Sequence, residues 1–173
     1  MAWAPGGRVA DFRMGIGVDA VGQAYGMGGT ASPDFPVAGN PFQAQYGGNE
    51  DAFVAKIALP PAICITATPA TLWLPDGTLV PVTFAGTIRA VGSGVAPDTA
   101  TYAVPDDYGR VQPSGTLSVR SEGSYAFPMD LQASRNGNDR DGREYIITVW
   151  VKAKAGNTGS AATPVIVPYD QGG

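Results

Sequence analysis

Between Gly142 and Pro168 the chain alternates. Tyr145, Ile147, Val149 and Val151 recur at a spacing of two, and Glu144, Thr148, Lys152 and Lys154 fall on the intervening parity. This period belongs to a β-strand with one face on a core and the other in water. Gly156 and Asn157 then supply a short turn, and the residues up to Pro168 read as a second strand. The stretch is therefore predicted to be a long hairpin, and whatever surrounds it has to be a sheet protein.

Composition points the same way. The chain has 173 residues, 24 of them Gly and 15 Pro, and 15% are charged. Many turns and short strands follow, and no window holds a 3.6-residue apolar period. An apolar content of 44% supports a packed core rather than disorder. The net charge of −4, with no Lys/Arg cluster, disfavours a nucleic-acid partner. No run of 18 or more apolar residues is present to span a membrane as a helix. The start of the chain lacks the apolar segment of a signal peptide, which implies another secretion route, a mature form or a fragment.

The chain has no histidine. Ser-His-Asp and Cys-His catalysis and His-based zinc sites are thereby removed, and the expectation is a protein that is not an enzyme, with no catalytic residue and no required cofactor. The single cysteine, Cys64, has no intrachain partner. It lies between Ile63 and Ile65, where a buried small hydrophobe is expected and an intermolecular bridge is the alternative.

In chain order, residues 1–14 read as an irregular leader. Short strands are predicted over 15–19 and 22–30, with a turn at 20–22, and a third over 52–57. The intervening loop is too rich in Pro and Gly for a long element. The succession Gly15-Ile-Gly-Val-Asp19, Gly22-Gln-Ala-Tyr25, Gly28-Gly-Thr-Ala-Ser-Pro-Asp-Phe-Pro36 and Tyr46-Gly-Gly-Asn-Glu-Asp-Ala-Phe-Val-Ala-Lys-Ile57 resembles one bacterial β-propeller repeat of the SBBP type. The resemblance implies a single blade-like antiparallel sheet over 15–58, in which Asp19, Tyr25, Ser32, Phe35, Asp51, Phe53 and Lys56 have structural roles. One blade cannot close a propeller, which takes about four to eight. Its exposed edges and faces require another surface: the following domain, another copy or further blades.

Leu59-Pro60-Pro61 is the predicted linker, since two prolines disfavour helix and central strand. Seven strands are then predicted across 62–170: 63–68, 79–90, 100–104, 116–120, 125–133 and the two of the hairpin. Pro128 places its strand at an edge or a bulge. Seven short strands in about a hundred residues suggest an immunoglobulin-like β-sandwich. The runs Leu72-Trp-Leu-Pro-Asp-Gly-Thr-Leu-Val-Pro-Val82 and Ala155-Gly-Asn-Thr158 are similar to Ig-like modules of bacterial secreted and surface proteins. That similarity implies spacing, adhesion or carbohydrate contact at an extracellular or cell-surface location.

Two polar segments are candidate metal sites. The loop Asn136-Gly-Asn-Asp-Arg-Asp-Gly142, read as a hairpin loop, offers Asn136, Asn138, Asp139 and Asp141, and Asp106 and Asp107 form a carboxylate pair. Converging oxygens of this kind suit calcium, provided the two segments meet at one end of the sandwich. The alternative is turn chemistry, because Asn-Gly and Asp-Gly favour tight turns. Trp73, Trp150 and Tyr108 are candidate contacts for a glycan or protein partner. Trp150 has the solvent parity of its strand, where it is either exposed or covered by the blade or a neighbouring chain. The function expected is a non-catalytic structural or adhesive module of a bacterial secreted or surface protein, acting by strand-edge or face-to-face association, with homo-oligomers as one outcome. The alternative is a calcium-stabilised carbohydrate-binding module.

Overall fold

The computed structural model describes residues 9–20, 23–37, 41–57, 59–110 and 113–170. Every regular element among them is a β-strand. The chain divides into two compact units, Met1–Ala58 and Leu59–Gly173.

The first unit is an antiparallel meander of β1 (Asp11–Val18), β2 (Ala24–Thr30) and β3 (Asp51–Ile57), in the order β1-β2-β3. Strand β1 begins four residues before the predicted position, inside the stretch read as leader. The cause is a bulge. The register shifts between Arg13 and Gly15, so Phe12, opposite Gly29, and Ile16, opposite Gly26, lie on different faces despite their even spacing. That hides the alternation a sequence reader looks for. Gly28 is required where it stands, because a Cβ there would collide with the Phe12 carbonyl. Residues 1–8 of the leader and 21–22 of the turn lie outside the described residues. The loop after β2 folds back on its own sheet: Phe35 stacks on Phe53 at 4.7 Å, and Ser32 donates its N–H to Thr30 Oγ1.

The second unit is a two-sheet sandwich. One sheet has the order β4-β5-β8, from β4 (Ala62–Thr68), β5 (Leu79–Arg89) and β8 (Ser124–Gln132); the other has the order β10-β9-β6-β7, from β10 (Thr158–Val167), β9 (Arg143–Ala153), β6 (Val95–Ala103) and β7 (Ser114–Thr116). The long hairpin is β9–β10, in register from Arg143↔Val167 to Lys152↔Thr158. Tyr145, Ile147, Val149 and Val151 are fully buried. They meet Val82, Phe84, Ile88, Tyr125 and Leu131 of the facing sheet in two core clusters, each such side chain contributing about 1.5–3 kcal/mol by burial. Tyr102 and Phe127, stacked at 4.5 Å, pack against both clusters.

Several expectations are corrected. Strand β6 starts at Val95, not 100, because a register shift between Ala96 and Thr101 accommodates Pro97. Strand β7 is Ser114–Thr116; Leu117 still donates its N–H to Ala100 at 2.9 Å, but 118–120 form no ladder. The loop 133–142 joins strands of different sheets and is a crossover, not a hairpin loop. Cys64 is exposed: it has the outward parity of edge strand β4, between the half-buried Ile63 and Ile65. Pro128 does lie in an edge strand, β8.

Candidate functional site

Arg143 is the first residue of β9 and shares the inward parity of Tyr145, so its guanidinium enters the sandwich and is buried. A buried cation needs a partner. Nε and Nη2 donate to Asp106 Oδ2 at 3.0 and 2.7 Å, and Nη1 donates to Ser134 O and Oγ. The rings of Tyr145 and Tyr108 lie under it at 4.5 and 5.3 Å. Asp106 Oδ1 accepts the Arg110 N–H at 2.7 Å. Asp106, read from the sequence as half of a carboxylate pair with Asp107, is instead one half of a buried ion pair.

Around this pair the two candidate loops meet. Tyr108 donates its hydroxyl to Asp139 Oδ2 and accepts the Asn136 N–H. Asp139 Oδ1 accepts the N–H groups of Asp141 and Gly142. Gly142 has φ +85° with a would-be Cβ 2.6 Å from the Val167 carbonyl oxygen, so no other residue fits there. The Tyr108 hydroxyl, and then the two backbone N–H bonds, hold the Asp139 carboxyl below the usual carboxylate range. Burial, then the bond to Asp139, pushes the Tyr108 phenol up. Arg110 Nη2 donates to Asn136 Oδ1 at 3.2 Å.

The convergence that calcium would need thus occurs, but protein donors occupy the oxygens of Asp106 and Asp139. Asp107, Asn138 and Asp141 are exposed. Among the described residues no group of three or more His, Cys, Asp or Glu is placed to hold a metal ion.

Trp73 and Trp150 are each 37% exposed. They do not form one platform. Trp150 stands opposite Ser160 on β10, while Thr71, two residues before Trp73, bridges Ile166. At about 3.4 Å per residue, Ser160 and Ile166 are about 20 Å apart. Trp150 instead sits on the outer face of its sheet, with Ser160 and Thr101 directly beside it on the two neighbouring strands.

A third surface was visible only in outline. In Met1–Ala58, Met14, Ile16, Val18, Met27, Val37, Phe42 and Val54 are exposed, and Phe53 is the one buried large hydrophobe among the described residues. Among the described residues neither β1 nor β3 pairs with a strand other than β2.

No protein-family model matches this chain, and no curated protein or solved structure matches it either.

Proposed function

We propose that the chain is a non-catalytic structural or adhesive module of a bacterial secreted or surface protein, and that it works by strand-edge or face-to-face association through the three-stranded sheet. One observation carries this reading: among the described residues β1 and β3 form ladders with no strand besides β2, and apolar side chains are exposed on both faces of that sheet. Ile16 and Val18 lie on one face, Met27 and Val54 on the other. Unpaired N–H and C=O groups flanked by apolar side chains recruit a further strand.

The reading includes the two resemblances. The meander fits a single blade-like repeat. For the sandwich, the immunoglobulin-like assignment is supported by the orders β4-β5-β8 and β10-β9-β6-β7. It is also supported by Tyr145, near the start of β9, whose hydroxyl donates to the Gln132 carbonyl at 2.9 Å across the crossover, in the manner of a tyrosine corner. The buried Arg143–Asp106 pair then serves to fix that corner. Light scattering over a range of concentrations tests the function. Concentration-dependent self-association, or capture of a partner that masks the three-stranded sheet, is expected; a chain that stays monomeric and binds nothing through that sheet contradicts it.

Trp150 favours a second reading, carbohydrate binding. A half-exposed indole between two hydroxyl side chains on a sheet face offers a pyranose ring a stacking surface with flanking hydrogen bonds. Affinity electrophoresis in neutral polysaccharides tests it: Trp150→Ala abolishes any retardation, and added calcium or chelator reports whether the Asp139 loop contributes.

A further inference from the structure

The two open edges of the first unit are not equivalent. Strand β1 carries the bulge at Met14, and bulges twist an edge away from partners. Strand β3 pairs with β2 over seven consecutive residues, Asp51↔Thr30 to Ile57↔Ala24, without a shift. It contains no proline, and Val54 on it is 73% exposed.

Charge selects the partner. Lys56 has its Nζ 5.7 Å from the Tyr25 ring centroid, on the face of the sheet where Tyr25 and Lys56 are opposed. Glu50, the residue before β3, reaches the same face: its Oε1 lies 2.6 Å from where a Gly29 Cβ would stand, and Gly29 shares the parity of Tyr25 on β2. Two identical strands that pair antiparallel about a two-fold axis normal to the sheet keep their faces, so residues of equal parity are opposed. With Phe53 opposite its own copy, Glu50 faces Lys56 of the other chain, and the same pair recurs across the axis. Shifting the register to put Val54 opposite itself sets Lys56 against Ala52. Shifting it to centre on Asp51 or Lys56 opposes like charges, which is unfavourable.

We infer that β3 is the self-association edge of this protein: a second copy of the chain pairs antiparallel with it, centred on Phe53, making a six-stranded sheet β1-β2-β3-β3-β2-β1 closed by two Glu50–Lys56 pairs. The inference rests on the strand-edge reading above and names the partner and register.

Charge reversal tests it on the full chain by sedimentation velocity, with circular dichroism to follow folding. Lys56→Glu and Glu50→Lys each weaken the dimer by about tenfold, since two cross-strand pairs turn repulsive at once. An equimolar mixture of the two variants recovers the affinity, because each then supplies the charge the other lacks, and so does the chain carrying both changes. Single variants that dimerise like the parent, or that weaken without recovery in the mixture or the double variant, overturn this pairing and leave association through another edge or face. A parent chain that is monomeric at every concentration overturns both this inference and self-association as the function of the sheet.

Discussion

The sandwich of Leu59–Gly173 protects three of its four sheet edges, those of β7, β8 and β10, whereas in the meander of Met1–Ala58 β1 carries a bulge and β3 carries no such feature. In the sandwich, edge strand β8 carries Pro128, edge strand β10 carries Pro164, and edge strand β7 is three residues long. Beside β10, Thr71 makes a parallel bridge to Ile166, and Leu72 donates its N–H to Ile166 at 2.8 Å. Pro81 lies in the central strand β5, but beyond Thr83, where the β4 ladder ends, so its missing N–H costs no ladder bond on that side. Such devices keep strands from adding to a finished sheet. In the meander, β3 has none of them. The cores differ in the same sense. Of 18 buried hydrophobic residues among those described, 17 belong to the sandwich and one, Phe53, to the meander. A three-stranded sheet needs an apolar face packed on something to be stable by itself. The sandwich thus buries its own apolar side chains, whereas the meander leaves Met14, Ile16, Val18, Met27 and Val54 exposed.

The largest effects are expected in the sandwich. Arg143→Ala leaves Asp106 buried without its cation and should lower sandwich stability by about 3–5 kcal/mol in denaturant unfolding; a loss below 1 kcal/mol, on the order of an exposed pair, would show that the corner is not held by this bond. Ile147→Ala, at a fully buried site, should cost about 2–5 kcal/mol. Val54→Ala, measured at high dilution, should change stability by no more than about 0.5 kcal/mol. Equal costs at the two positions would break the comparison between the units.

Next comes the edge proline. Pro128→Val restores an N–H donor in the middle of β8 and removes its fixed φ. Light scattering of this variant should show association beyond that of the parent, and the opposite exchange, Val54→Pro, at a β3 position whose N–H points away from β2, should reduce it. If Pro128→Val changes nothing while Val54→Pro leaves association intact, edges are not what separates the two units.

The smallest effects concern titration. Tyr125 donates its hydroxyl to the Cys64 carbonyl at 2.8 Å, and burial pushes its phenol up to about 12. A value raised on folding means stability that is complete below the unfolded value near 10 and is lost as pH rises toward about 12. Tyr125→Phe should flatten that alkaline limb in unfolding measured against pH. Asp139 behaves with opposite sign. Its folded value lies below 3.8, so its contribution is present above that pH and fades as pH falls through the folded value. Tyr108→Phe should destabilise the chain at neutral pH, with a difference that shrinks in acid; a difference independent of pH would mean that Asp139 does not sense the Tyr108 hydroxyl.

Parity made much of this legible. The alternation from Tyr145 to Val151 located the core face of β9, and the same count placed Trp150 outside. Extended by one step, it also puts Arg143 on the core face, where a charge demands a partner. That signal was present in the sequence but was masked by the polar run from Asn136 to Gly142. Asp106 as the partner was not legible, because 37 residues separate the two and only the packing of two sheets joins them. Register shifts defeated the count at Met14, where one extra residue exchanges the faces, and across Pro97, where three extra residues do. The Asp-Gly turn at Gly142 followed from composition, whereas Gly137 of the Asn-Gly pair does not have positive φ. The unequal protection of edges needed the strand order, which no local pattern contains.

Hydrogen exchange of the full chain at low and high concentration tests the central claim most directly. Amides of Asp51–Ile57 whose N–H groups do not bond to β2 should exchange quickly when dilute and slowly when concentrated, while those of edge strand β8 keep one rate throughout. Concentration-dependent protection in β8 with none in β3 would contradict the account, and would move the working surface of this protein from the meander to the sandwich.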